Sequence, residues 1–517
     1  MATIRWRFAC GIMLLAGSMV STIAGRSSAD DPPATAIDKR FEPLRKALGE
    51  TATAVEAADG LDMKVNTLLE VAQAQVRIGD REGAKANASK ASETAKLIDA
   101  ADDRWHFLLA TAKSLSDSGN REAARADVKQ ALEEIMAFEM PESLYSALES
   151  VVSTAVYIDD LDGALKAVKI LDDKLSAIED ESDRTQAMKS VISSRCHAGD
   201  FTGAYNALMG NTLRVIGFFP PPVIIRSQSL VSLLIGMESN SFRRLSGIES
   251  VKKREDDRRQ TLERVTEHIK LLEIHDNKVD RHLINTLCAV GDPDEASKVL
   301  SRIKGRPPVP PDAAEAFLVP RSLSTIGRAQ FRAGRLEEAH ATLREARTLT
   351  VDIPATPENR KDLCLWSIAS NQAEMGDTAE ALQTIEKEPN DLMLALVREN
   401  IGKSLANQGD LEGAKNLWRR ALLDAEEGLR NPKPLVPPDA YLSRIASIRA
   451  RLGDFKSANE AFEKMLNPAS AAFRIAEIRS RSGDIAGATA WASALADPYL
   501  RATALSGVAE GAAAKPR

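Results

Sequence analysis

Three histidines, His268, His275 and His282, stand seven residues apart in the 517-residue chain, and a shared metal ion is the first chemistry that spacing raises. On a helix, steps of seven align side chains along one stripe but separate them by about 10.5 Å of rise. Zinc ligands must sit within about 2.0–2.3 Å of one point, so no two of these rings can reach the same ion. Zinc-binding helices use i, i+4 spacing instead, and the three histidines are read as part of a solvated, charged helix. His106, His197 and His340 are isolated. Cys10 lies in the N-terminal segment, and Cys196, Cys288 and Cys364 lack the CxxC spacing of a zinc site or a disulfide framework. Cys196 and Cys288 fall where other copies of a repeated phrase carry Val76, Val156 or Ala373, so they are expected as small core side chains. There is no glycine-rich phosphate loop, GxSxG elbow, HExxH pair or EF-hand loop. Carboxylate pairs such as Asp102-Asp103 and Asp256-Asp257 are ordinary among 74 acidic residues, and five Trp with five Tyr supply a sugar-stacking cleft poorly. No catalytic residue, cofactor or metal ion is expected, and the protein is read as a non-enzyme.

The elements that would position any site are written in a repeated phrase. "RIGDREGA" at 77 returns as "DSGNREAA" and then "YIDDLDGA" at intervals of forty residues. Ten copies align on Gly79, Gly119, Asp159, Gly199, Gly291, Gly334, Gly376, Gly409, Gly453 and Gly483. Five residues after every mark stands an alanine, from Ala84 to Ala488. Eight residues before it the chain is aliphatic in nine copies, Thr111 being the exception, and the next residue is Ala or Gly in seven. A Gly-Asp pair suits the end of one helix and the start of the next. Gly accepts left-handed backbone at the C-terminus, and Asp caps the following N-terminus. The fixed alanine then sits where only a small side chain lets the partner helix approach. Composition agrees: aromatic residues are 4% and Ala, Leu, Glu, Arg and Lys are abundant, which favours helices over strands. One hairpin cannot bury its apolar face alone, whereas stacked hairpins share a continuous core.

A small residue, seven positions to a Gly-Asp turn, then Ala five further on, resembles the tetratricopeptide repeat. The resemblance spans about 60–517, with copies mostly longer than that family's and without most of its Trp and Tyr positions. It implies an all-α fold, an α-solenoid of about eleven stacked antiparallel hairpins wound as a superhelix. The organisation expected is a signal peptide at 1–29, a linker and capping helix at 30–59, a repeat array at 60–210, an irregular segment at 211–283, and a second array at 284–517 ending in a capping helix. The 92 residues between Gly199 and Gly291 leave room for one degenerate copy, with its turn near Asn240. Proline runs at 217–225, 305–312, 351–359 and 431–439 are expected as inter-repeat loops. Phe218 and Phe219 in the first run are a possible anchor for a partner.

Six residues before each mark the first helix carries a polar residue in all ten copies, among them Arg328, Ser370, Lys403, Ser447 and Glu477. In the family resembled, the matching position lines a concave groove that receives peptide or protein ligands. Arg328, Arg332, Trp366, Ser370 and Lys403 fall in adjacent copies and form the candidate groove. At the N-terminus "MATIRWR" precedes an apolar run and the small residues Ser27 and Ala29, the pattern of a cleaved export signal, with an uncleaved anchor as the alternative. Cleavage near Ala29 would remove Arg5, Arg7 and Arg26 and make a chain of formal charge −6 more acidic. An acidic chain without a long basic block predicts no nucleic-acid partner. The expectation is therefore a periplasmic or extracellular protein-binding scaffold of unknown partner, without a membrane span once the signal is removed. The rival reading is an enzyme on a toroidal all-helical fold, such as a polysaccharide hydrolase or lyase.

Overall fold

The computed structural model describes residues 38–57, 60–137, 141–176, 178, 181–215, 223–238, 248–271, 276–306, 314–354, 361–386, 391–432 and 436–514. The described part of the chain is helical without a strand, an array of paired helices. A lone N-terminal helix, α1 (Glu42–Ala54), precedes eleven hairpins. The first four are α2 (Leu61–Arg77) with α3 (Arg81–Ala95), α4 (Ala101–Asp117) with α5 (Arg121–Ile135), α6 (Pro141–Tyr157) with α7 (Leu161–Ser176), and α8 (Glu181–His197) with α9 (Phe201–Val215). Next come α10 (Val223–Glu238) with α11 (Ile248–Leu271), α12 (Asn277–Ala289) with α13 (Pro293–Lys304), and α14 (Leu318–Arg332) with α15 (Leu336–Val351). The last four are α16 (Lys361–Glu374) with α17 (Thr378–Ile385), α18 (Asp391–Asn407) with α19 (Leu411–Arg430), α20 (Pro438–Arg451) with α21 (Phe455–Phe462), and α22 (Ala469–Arg481) with α23 (Ile485–Ser493). The last helix among the described residues is α24 (Pro498–Ala513).

Each repeat turn is built as its residues require. All ten marks have positive φ, including Asp159 at 62°, the one non-glycine residue to do so among the described residues. At Gly79 the Asp80 N–H donates to the carbonyl of Gln75 at 2.8 Å and the Gly79 N–H to that of Val76 at 3.1 Å, a Schellman closure. The Asp80 carboxylate then accepts from the Gly83 N–H at 3.2 Å and caps α3. The closing bond from the residue after the mark recurs in every copy, and the aspartate cap wherever that residue is Asp. One dipeptide thus ends a helix, reverses the chain and starts the next helix.

The ten alanines are fully buried, and the residues eight positions before each mark are buried as well. Ala381, near the start of α17, faces Ala369 and Ile401 within one apolar cluster. Ala381→Leu is expected to lower stability by about 1–3 kcal/mol through overpacking. Serine at the exposed Gln383 should change it by less than about 0.5 kcal/mol. Urea denaturation of the two variants checks the register, and equal effects would refute it.

The two ends of the array meet. Helix α24 packs against α22 and α23 behind it and also against α2 and α1, more than 400 residues away. Arg77 Nη1 donates to Ser506 Oγ at 2.6 Å, and its Nε lies 3.0 Å from a Glu510 carboxylate oxygen. Read from sequence as a capping helix, α24 is buried along most of its length: Ala502, Ala504, Leu505, Gly507, Val508, Ala509 and Gly511 are all covered. Its missing second helix is α1, which packs on α24, α23 and α2 as the other second helices pack on their neighbours. A twelfth hairpin, α24 with α1, is thereby assembled from both ends of the chain and closes the solenoid into a ring.

Each even-numbered helix packs on the even-numbered helices before and after it, α24 and α2 included, whereas odd-numbered neighbours touch at only a few steps. The layer with the closer neighbours has the shorter circumference, so the even helices form the inner wall. Twelve helices at the usual 8–10 Å spacing, each 10–12 Å across, would leave a circular opening of about 25 Å. Among the described residues no helix is long and apolar enough to cross a membrane. The export segment 1–29, the turn near Asn240, Phe218, Phe219, His275 and most of the proline runs lie outside the described residues.

Candidate binding surface on the inner wall

Of the candidate groove residues, Arg328 and Arg332 are exposed on α14, and the Arg328 guanidinium reaches Glu374 on the adjacent inner helix α16 at 3.1 Å. Trp366 is half-buried on α16, packed against a cluster that includes Ala369, Ala373, Val397 and Ile401. Its indole N–H and the Ser370 hydroxyl, one turn apart on α16, are buried and make no hydrogen bond among the described residues. Lys403 does not join them. Its ammonium is 3.1 Å from Glu399 Oε1 and donates to Asn400 Oδ1 at 3.2 Å, within α18.

Glu399 is the centre of a second cluster on α18, α20 and α22. It is fully buried, and the backbone carbonyl of the same residue accepts from the Trp418 indole N–H at 3.2 Å. Gly402 makes room for that ring, since a Cβ there would overlap the Trp418 indole nitrogen. Oε1 of Glu399 accepts from the Ser447 hydroxyl at 3.1 Å and from Arg451 Nε at 3.0 Å, in addition to Lys403, while Oε2 accepts from Arg444. Burial alone would raise the Glu399 pKa, but Lys403, Arg444 and Arg451 outweigh it and hold the carboxyl well below the usual range. Burial pushes Lys403 down to about 8, Arg451 and Arg474 push the same way, and Glu399 only partly opposes them. Arg474 on α22 is also lowered, by burial first and then by Arg444 and Arg451, against Glu399 and Glu477.

Sequence reading took only the row six residues before the marks and so missed Glu399, Arg444, Arg451 and Arg474. A second row would have found three of them. Arg444 and Arg474 lie nine residues before Gly453 and Gly483, and Arg451 two before Gly453, spacings of three and four that share the same helix face.

Among the described residues the arrangement offers charge and hydrogen-bond donors. A carboxylate that accepts from four donors and is held ionised is a poor base. Burial raises the thiol pKa of Cys196, Cys288 (to about 12) and Cys364, which leaves them protonated. Cys196 and Cys364 are fully buried and Cys288 half-buried. Among the described residues no three His, Cys, Asp or Glu side chains are grouped to hold a metal ion. His282 Nδ1 lies 3.0 Å from Glu238 Oε1, an ordinary bridge between inner helices.

No family model and no curated protein matches the chain. Among solved structures it is similar to Ton1535 from Thermococcus onnurineus NA1, at 14% identity over 77% of this chain and 100% of that one, with a TM-score of 0.28. It is also similar to the pentatricopeptide repeat protein PPR10 from maize, at 17% identity over 82% of this chain and 64% of that one, TM-score 0.26. A third similarity is to yeast Tom70, at 13% identity over 87% and 96% of the two chains, TM-score 0.24. The repeat geometry itself, Schellman turn, aspartate cap and buried alanine, makes the chain a tetratricopeptide-like helical repeat protein.

Proposed function

We propose that the protein is a non-catalytic protein-interaction scaffold of the bacterial cell envelope that receives a peptide or protein segment against the inner wall of its ring. The observation that carries this reading is the wall between α14 and α22. Charged groups there are mounted on mutually packed helices, and among the described residues none is arranged as nucleophile and base. A ring closed between its ends admits a ligand through its opening, which suits an extended segment. Residence in the envelope rests on the apolar run before Ala29.

The test uses protein made in its native host and an envelope extract. Mass spectrometry should find an N-terminus at or near Asp30, and an intact Met1 in a cytoplasmic fraction would remove the localisation. Arg328→Ala and Arg332→Ala alter exposed groups, so each should change stability by less than about 0.5 kcal/mol. Each should weaken capture of the partner taken by the unmodified chain, and undiminished capture by both would remove this part of the wall from the site.

A further inference from the structure

We propose that the inner wall at Trp366 and Ser370 is a subsite for a proline-rich segment in the polyproline II conformation, whose backbone carbonyls accept from the indole N–H and the serine hydroxyl. The proposal rests on reading the ring as a protein-binding scaffold and names the conformation and chemistry of what is bound. Both donor atoms are withdrawn from water, and neither makes a hydrogen bond among the described residues. A buried donor without a partner is destabilising, and one helix here carries two of them a turn apart. A ligand that brings two acceptors offsets that penalty.

The surroundings decide what kind of ligand this is. Nearby acceptors are already engaged within the wall. Glu374 is held by Arg328 at 3.1 Å, Asn400 Oδ1 accepts from Lys403 at 3.2 Å, and the Ser367 hydroxyl pairs with that of Ser324 at 3.0 Å. What these groups leave unspent at Trp366 and Ser370 is donor capacity. An ordinary extended strand brings an N–H with every carbonyl, and each N–H would need an acceptor of its own. Proline brings the carbonyl without the N–H.

Spacing agrees with that choice. Four residues of helix rise about 6 Å and two residues of polyproline II about 6.2 Å, so carbonyls at alternate positions keep step with Trp366 and Ser370. Trp366 also supplies the aromatic surface on which proline-rich segments dock. Its ring packs on the apolar cluster shared by α16 and α18, so a segment held there is anchored to two inner helices. Both residues are half-buried, and a segment lying on them reaches the donors through a change of side-chain rotamer. A polyproline II segment is stiff before it binds, which reduces the entropy lost on docking.

The experiment is fluorescence anisotropy on the full chain with labelled decaproline, a labelled flexible decapeptide of alternating Gly and Ser, and a labelled decapeptide of alternating Ser and Thr. Decaproline should bind at least tenfold tighter than either of the others. Trp366→Phe keeps an aromatic ring and loses the N–H, and Ser370→Ala loses the hydroxyl. Each should weaken decaproline about fivefold, the net worth of one hydrogen bond. Ser370→Ala removes a donor that the free protein leaves unpaired, so its melting temperature should not fall, and its loss of binding is then not a loss of fold. Arg419→Gln, exposed on the outer helix α19, should leave decaproline binding unchanged. Equal binding of the three peptides, binding of none, or undiminished decaproline binding by either wall variant overturns the proposal. Tighter binding of the Ser-Thr peptide overturns it in favour of an extended strand with its own N–H groups. If the preference for decaproline fails while the partner capture that depends on Arg328 and Arg332 persists, the scaffold reading stands and only this subsite falls.

Discussion

Gly507→Val is expected to break the ring at its seam. Gly507 and Gly511 lie one turn apart on α24 and face the backbone of α22. A Cβ on the first would overlap the Phe473 carbonyl oxygen, and one on the second the Glu477 carbonyl oxygen. Glycine is required there for close approach, and the atoms it approaches belong to a helix backbone that cannot swing aside as a side chain would. Overpacking a core usually costs about 1–3 kcal/mol, and this site should reach about 3 kcal/mol or more. Because α24 also holds α2 and α1, pushing it off α22 should loosen both ends of the chain together. Small-angle scattering should show a larger radius of gyration, and the melting temperature should fall. Gly49→Ala is the control: on the exposed face of α1, with nothing within 4 Å of an added Cβ, it should stabilise by up to about 1 kcal/mol. An unchanged scattering profile for Gly507→Val would mean that α24 is a terminal cap and the ring is open.

The same seam shows where sequence reasoning stops. The hairpins were legible because each depends on residues within one turn of each other. Glycine or Asp159 at the mark, the capping aspartate and the buried alanine are consequences of local backbone geometry. Closure depends on the small rotation between successive hairpins summed over the whole array, which no single spacing encodes. Helix α24 looked like a cap because no second helix follows it among the described residues, and that helix turned out to be α1. A signal was present, since residues 502–512 contain almost no polar face, as befits a helix covered along most of its length. The wall was legible in part. Lys403 was singled out, but it was grouped with Trp366 on a neighbouring helix. Which way a long ammonium side chain turns is decided by the nearest buried carboxylate, and Glu399, ten residues before Gly409, lies outside the polar row six residues before the marks.

Glu399→Gln is expected to cost about 3–5 kcal/mol at neutral pH, the range for removing one partner from a buried ionic cluster. The amide keeps the shape and can still accept from Ser447, so the loss is one of charge. Its pH dependence identifies the cause. In the unmodified protein the Glu399 carboxyl has a folded pKa depressed well below an unfolded value of about 4.3. Its stabilisation is therefore fully present above about pH 4.3 and is lost as pH falls through the folded pKa. The difference between the two proteins should accordingly narrow on going from pH 7 to pH 3. At the alkaline end Lys403 governs the change. Glu399 is the interaction that raises its pKa, so without that carboxylate the value drops further below about 8, while the unfolded value stays at about 10.4. Across that window the unfolded chain binds more protons than the folded one, so stability rises with pH. The variant should regain part of its loss between pH 7 and pH 9. Urea denaturation at pH 3, 7 and 9 measures all three points. A variant as stable as the unmodified chain at pH 7, or a deficit that does not change with pH, would mean that Lys403, Arg444 and Arg451 do not converge on Glu399.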